Sequence, residues 1–283
     1  MTTKQLFNLA LLSSAVTILA GCGGTPPVTE TKAPEPPPPA MESVLPAGTP
    51  IERTSSIVSA ASQKTYKIET VEDDREKELR ALAPGARDVT PEVGAAPGDN
   101  YRGTARKAAK LSIANAATET FADLKDLIAT LEAHKAMVNH TPPIKTTATS
   151  NRVKEEKRNI KLKAFLYAAS REDDNDFHLI VGRAPGASPA VYFTIELSGL
   201  PPAGSAAFPK LKAARDSFKS FFKNSMPGTS YDFYTPPIPV EIEGSLFFDM
   251  SHASGSRPGP SSLRPKMPVV WEVHPITKII FEP

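Results

Sequence analysis

The sequence predicts a mainly β fold: a small barrel with one inserted helix, preceded by a helical segment and a disordered proline-rich tether. Three observations predict it. From about Arg152 onward, short runs alternate apolar and polar residues, which is the period of a half-buried strand. One stretch in that region, Pro209 to Lys223, instead repeats its apolar residues at helical spacing. Far upstream, Thr25 to Pro39 is dense in proline, which lacks the amide proton that helix and central strand need.

Lys4 is the lone charge before Cys22, and Leu6 to Ala20 is almost wholly apolar or small. This is the pattern of a secretory signal over residues 1–21. The run is too short to span a bilayer, which takes about 20 apolar residues. It ends in Leu19-Ala20-Gly21-Cys22, a tetrapeptide that resembles the bacterial lipobox. The resemblance implies cleavage before Cys22, a diacylglyceryl thioether on its sulfur, and membrane lipid as a partner. The location it implies is the cell envelope. Gly23 stands where an Asp resembles an inner-membrane retention signal, which favours the outer membrane in a Gram-negative source. An ordinary secretory signal with a chance cysteine is the alternative. Cys22 is the one cysteine, so an intramolecular disulfide is excluded.

Residues 22–50 read as a lipidated tether. Proline-rich chain favours extended polyproline II, and roughly 28 residues at about 3.1 Å each reach up to about 85 Å. Residues 51–105 read as mostly irregular. Tyr66 to Val71 alternates like a short strand and Asp74 to Leu82 has the composition of a short charged helix. Pro84, Gly85, Pro91, Gly94, Pro97 and Gly98 then interrupt any longer element. Residues 106–145 read as a helical segment. Its helix is expected from about Thr120, with Asp123 three residues on, to Lys135, and Phe121, Leu124, Leu127, Ile128 and Leu131 make one apolar face.

Residues 152–283 form the β domain. Strands are expected at Asn159–Tyr167, Phe177–Val181, Val191–Leu197, Val240–Phe248, Val269–His274 and Ile276–Phe281. The helix between them carries a first-turn proline, Pro209, and an apolar face of Leu211, Ala214, Phe218 and Phe221. Strands, one helix, then more strands fit a five-stranded, partly open barrel of the OB type. A mixed α+β sandwich is the competitor.

Three of the five histidines lie in this domain, each near a carboxylate. Asp174, Asp176 and His178 are spaced two apart and share a strand face, as do Glu272 and His274. Asp249 and His252 form the third cluster. Neutral imidazoles with carboxylates are what a Zn²⁺-like ion requires. A divalent metal held by Asp174, Asp176, His178, Asp249, His252, Glu272 and His274 is therefore one expectation. The other is that these pairs satisfy one another as structural pins, because unpaired buried polar groups are costly.

The ordered series Asp174-x-Asp176-x-His178, Gly244-Ser245-Leu246-Phe247-Phe248-Asp249-x-x-His252 and Trp271-Glu272-x-His274-Pro275 resembles a group of uncharacterised bacterial exported proteins. The resemblance covers Val153 to Phe281 and implies an OB-like barrel without implying an activity. Asp174-Asn175-Asp176 more weakly resembles the Ca²⁺-holding Asp-Gly-Asp of thermonuclease-like barrels. That pattern also needs phosphate-clamping arginines, for which Arg152, Arg171 and Arg183 are candidates.

Other chemistries lack their motifs. The sequence holds neither a Gly-x-Ser-x-Gly elbow nor a phosphate-binding Gly-x-x-x-x-Gly-Lys loop. A formal charge of +2 gives no global argument for nucleic acid. Lys212, Arg215, Lys219 and Lys223 make a basic stripe on the inserted helix, and Phe165 and Tyr167 share a strand face with Lys161 and Lys163. Both read either as anion-facing surfaces or as ordinary solvated faces. The sequence thus points to a membrane-anchored envelope lipoprotein presenting a β-barrel binding or structural module, with a metal-dependent, nuclease-like hydrolase as the alternative.

Overall fold

The computed structural model describes residues 43–72, 98–254 and 257–283, all within one compact unit, Ala40–Pro283. The expected signal, Cys22, the tether up to residue 42 and the charged stretch Asp74–Leu82 lie outside the described residues.

Five strands close on themselves. β4 (Asn159–Arg171), β5 (Phe177–Gly182), β6 (Tyr192–Leu197), β8 (Trp271–Phe281) and β7 (Tyr231–Phe248) are bonded in that order, and β7 returns to pair with β4. The β6–β8 pair is parallel and the other pairs of the ring are antiparallel. This is a small barrel-like β fold, mainly β as the alternation predicts. The two expected C-terminal strands are one, β8, running through Pro275.

Alternation decides which side chains fill the ring. Leu162, Leu179, Ile195, Val273 and Leu246 belong to the main apolar core, and their neighbours in sequence face the other way. The inserted helix, α4 (Phe208–Phe222), lies between β6 and β7 in sequence, with Pro209 in its first turn. Its Ala214, Phe218 and Phe222 join the same core. Phe221, expected on the buried face, is half-buried and stacks on Phe281 at 4.2 Å.

The stretch expected to be mostly irregular contributes two strands, β1 (Arg53–Val58) and β2 (Thr65–Val71). They form a hairpin that extends the sheet along β7, through Lys67–Val71 against Tyr231–Thr235. The pull is burial: Tyr66, Ile68 and Thr70 alternate inward in β2. The tether boundary at residue 50 also shifts, because Val44 and Leu45 pack on the cluster of Tyr167, Ile180, Tyr192, Tyr231 and Phe233.

The helix expected over Thr120–Lys135 is divided. Thr118–Phe121 is a strand, β3, parallel to β4. Two short helices follow: α2 (Leu124–Ala129), capped by Asp123 through the amide of Lys125, and α3 (His134–Val138), with α1 (Lys107–Lys110) before β3. Edge pairing with β4 claims the residues around Thr120, so the cap moves to Asp123. Among the described residues no helix is long and apolar enough to cross a membrane.

Candidate functional site

The outward face of the ring carries the polar residues that the core excludes. In register, His178 of β5 lies opposite Glu196 of β6. Thr194 lies opposite Glu272 across the parallel β6–β8 pair, and Phe247 opposite Glu272 across β7–β8. Glu196, Glu272 and His274 therefore stand on one face of adjacent strands, opposite to the core residues Ile195 and Val273.

Asp176 enters from a tight turn before β5. Asn175 has a left-handed φ of 77°, which Asn tolerates better than most residues. Asp174 Oδ1 accepts from the amide of Asp176, and Asn175 Nδ2 donates to the carbonyls of Gly98 and Asn100. Asp176 Oδ1 accepts from the amide of Gly199 at 2.6 Å. Its Oδ2 has no hydrogen bond among the described residues and lies 3.5 Å from Nε2 of His274.

His274 is fully buried. Its Nδ1 lies 2.6 Å from Oε2 of Glu196 and 3.8 Å from Oε2 of Glu272. The Glu196 contact is an ion-pair distance without hydrogen-bond geometry, so both ring nitrogens lack a hydrogen bond among the described residues. One ligand atom each from Asp176, Glu196 and His274 lies within 4.8 Å of the others.

A segment of the chain closes over this face. Its backbone runs from Asn100, bridged to Leu200, to Ala114, whose amide donates to Ser245 Oγ. The short helix Lys107–Lys110 lies within it. Lys110 Nζ is 3.5 Å from Asp174 Oδ2. Two buried arginines clamp the segment. Arg152 donates to the carbonyls of Ala109 and Ser112 in the segment and to those of Leu246 and His274 in the sheet. Arg106 makes a two-pronged bond to Glu156 at 2.6 and 2.7 Å, and its guanidinium lies over the ring of Phe247.

The electrostatics follow from burial of several acids beside one lysine. Burial disfavours the charge on Lys110, but Tyr101, Asp174, Glu196 and Asp176 outweigh it and hold its pKa well above the usual lysine range. Burial, reinforced by neighbouring acids, pushes Asp176 and Glu272 well above the usual carboxylate range and Asp174 up to about 6. Burial would raise Glu196 too, but His274 and Lys110 keep it below that range. Burial takes His274 down to about 4 against the pull of Glu196.

The structure brings Asp176 and His274 together and adds Glu196, with Glu272 and Asp174 beside them. It gives the other two histidines partners of their own. His178 Nδ1 is 3.1 Å from the Tyr231 hydroxyl, and its Nε2 is 3.4 Å from Thr194 Oγ1. His252 pairs with Asp249 in the turn after β7. Sequence reasoning missed Glu196, although it is the lone charge in the buried strand Tyr192–Leu197. It also missed Lys110, for which no local pattern speaks.

Most residues of the other candidate surfaces are engaged within the chain, while Lys163 and Lys223 stay exposed. In the basic stripe, Arg215 is buried and donates to the carbonyls of Asn175, Leu197 and Ser198, Lys219 pairs with Asp99, and Lys212 pairs with Asp216. Tyr167 packs edge-on against Tyr192 and donates to the Arg183 carbonyl, and Lys161 pairs with Glu241, so this face is not an open stacking platform. The arginines weighed as phosphate clamps are occupied: Arg152 as above, Arg171 by Asn175 and Arg183 by Asp123. No protein-family model matches the chain, and no curated protein or solved structure matches it.

Proposed function

We propose that the chain is a lipid-anchored envelope protein that presents a barrel of the OB type on a proline-rich tether, as a binding or structural module rather than an enzyme. The anchoring half of the reading rests on Leu19-Ala20-Gly21-Cys22 and the apolar run before it. Buried acyl chains contribute about 0.8 kcal/mol per CH₂, so two or more chains hold a protein at a bilayer. The barrel half is supported by the strand order β4-β5-β6-β8-β7, the parallel β6–β8 pair and the helix between the third and fourth strands of the ring.

One observation carries the non-enzymatic reading. In an OB barrel the second and third strands form the ligand face. Here those strands are β5 and β6, and Asp176 before β5, Glu196 of β6 and His274 of the neighbouring β8 are buried beside the chain's own segment from Asn100 to Ala114, held by Arg152 and Arg106. A catalytic set has to be reached by its substrate, and this one is covered by clamped backbone. The near-neutral charge and the internally paired arginines also speak against nucleic acid as a partner.

The test is fractionation. The wild-type chain is expected in the membrane fraction, released by detergent and not by high salt. Cys22→Ser is expected in the soluble exported fraction. A Cys22→Ser chain that stays with the membrane refutes lipid anchoring through that sulfur.

A further inference from the structure

We propose that Asp176, Glu196 and His274 form a closed site for one divalent transition-metal ion, with Zn²⁺ the best chemical match. Three fully buried polar atoms at one place have no hydrogen bond among the described residues: Asp176 Oδ2 and both ring nitrogens of His274. Each such atom forfeits the interaction it had with water, and while Nδ1 has Glu196 Oε2 at 2.6 Å, Nε2 and Asp176 Oδ2 face each other with neither hydrogen-bonded among the described residues. Their spacing suits an ion. Two ligands at about 2.1 Å in a tetrahedral arrangement stand about 3.4 Å apart, and Nε2 of His274 and Oδ2 of Asp176 are 3.5 Å apart. One ligand atom each from Asp176, Glu196 and His274 lies within 4.8 Å of the others, and the ion takes one of the two ring nitrogens.

The ligand set selects the class of ion. One imidazole and two carboxylates suit Zn²⁺ and its neighbours, whereas Ca²⁺ and Mg²⁺ prefer oxygen alone. The cover selects the role. Structural sites are closed, usually by four protein ligands, for which Glu272, with Oε2 3.8 Å from Nδ1 of His274, is the carboxylate at hand; catalytic ones keep an open position for water or substrate. This site lies beneath the clamped segment, so the ion holds the outer face of β5, β6 and β8 together rather than turning over a substrate.

Lys110 sets the strength of binding. Its ammonium stands beside the trio, 3.5 Å from Asp174 Oδ2, and its charge opposes that of the ion. Its replacement by an apolar chain of similar length therefore raises metal affinity.

The experiment uses the full chain extracted in mild detergent. Metal content is measured as purified and after refolding in the presence of Zn²⁺, Mn²⁺ or Ca²⁺ alone, each followed by exhaustive dialysis. The expected result is about one Zn²⁺ per chain and a melting temperature higher by several degrees than in the metal-free chain. Asp176→Asn and Glu196→Gln keep the shape of the side chains. They are expected to weaken Zn²⁺ binding by at least tenfold and to abolish the thermal response, while Lys110→Met strengthens binding about tenfold. A wild-type chain that retains no ion and whose melting temperature ignores Zn²⁺ overturns the proposal, whatever the variants do. Retention equal to wild type in both Asp176→Asn and Glu196→Gln overturns it as well. The result is separable from anchoring: a chain without metal is still expected at the membrane, and Cys22→Ser is still expected to bind the ion.

Discussion

Arg152 is the residue whose loss most directly tests how the covering segment is held. Burial lowers its pKa to about 10, so it remains charged at neutral pH. Its guanidinium donates to four backbone carbonyls, Ala109 and Ser112 in the segment and Leu246 and His274 in the sheet. Hydrogen bonds from a charged donor contribute about 1.5–3 kcal/mol each, and bonds sharing one donor group do not add. Arg152→Met fills the space but leaves four buried acceptors without their donor. The expected loss is about 4 kcal/mol, in the range measured when one side of a buried charged network is removed. At roughly 2–4 °C per kcal/mol for a unit of this size, the melting temperature falls by roughly 8–16 °C. Arg152→Lys recovers little, because an ammonium lacks the planar fork that reaches all four carbonyls. Thermal unfolding by circular dichroism measures the magnitude, and amide exchange locates it. Exchange at Ala108 to Ser112 is expected to accelerate well before exchange in β4. A melting temperature within 2 °C of wild type, or acceleration spread evenly over the barrel, refutes the clamp.

Other expectations follow from the same interactions. Glu156→Gln leaves Arg106 buried without its counter-charge and is expected to destabilise by about 3–5 kcal/mol in denaturant titration. Phe218→Ala opens a cavity where Phe177, Phe222 and Phe281 meet and is expected to lose about 3–5 kcal/mol, with an unchanged m-value. Asn175→Ala removes the bonds to Gly98 and Asn100 and places alanine at a φ of 77°, so a loss of about 2–3 kcal/mol is expected from chemical denaturation. His140 is raised above its usual pKa by the carbonyl of Pro142, and also by Glu155, against partial burial. Its stabilising contribution is therefore full below about pH 6.5 and is lost as pH rises through its folded pKa. An NMR titration in which its ring shifts turn at or below pH 6.5 contradicts that sign.

Much of the fold was legible because alternation and helical spacing are local signals. β4, β5, β6, α4 and the C-terminal strand all lie where the sequence places a strand or helix, although β5 and β6 are buried on both faces. β2 matches the alternation read at Tyr66 to Val71, whereas β1 was harder to read for a physical reason. Arg53–Val58 buries one large side chain, Ile57, so no alternating apolar pattern marks it. Its order comes from pairing to β2, and that of β2 from pairing to β7, more than 150 residues away in sequence. Around Thr120 the apolar spacing suits a helix face, yet parallel pairing with Asn159–Leu162 draws Thr118–Phe121 into an edge strand. Tertiary pairing overrode local preference there.

The site shows the same division more sharply. Period two correctly places Glu272 and His274 on one face of β8. It fails for Asp174 and Asp176, which lie in the turn before β5 rather than on a strand face with His178, and it says nothing about which strands are neighbours. The parallel β6–β8 pair crosses α4 and all of β7 in sequence, and it is this pair that sets Glu196 against His274. The three histidines looked alike in sequence because each has a carboxylate within three residues. Only the neighbouring strands distinguish them. His178 meets Tyr231 and Thr194, His252 meets its own Asp249, and His274 meets three acids, Asp176, Glu196 and Glu272, without a hydrogen bond at either nitrogen among the described residues. A charge standing alone in an otherwise apolar strand, as Glu196 does in Tyr192–Leu197, is the local clue that survives this limit. Burying it requires a partner of opposite charge or a shared proton. Such a residue marks the place where a distant strand must deliver one, and here β8 delivers His274.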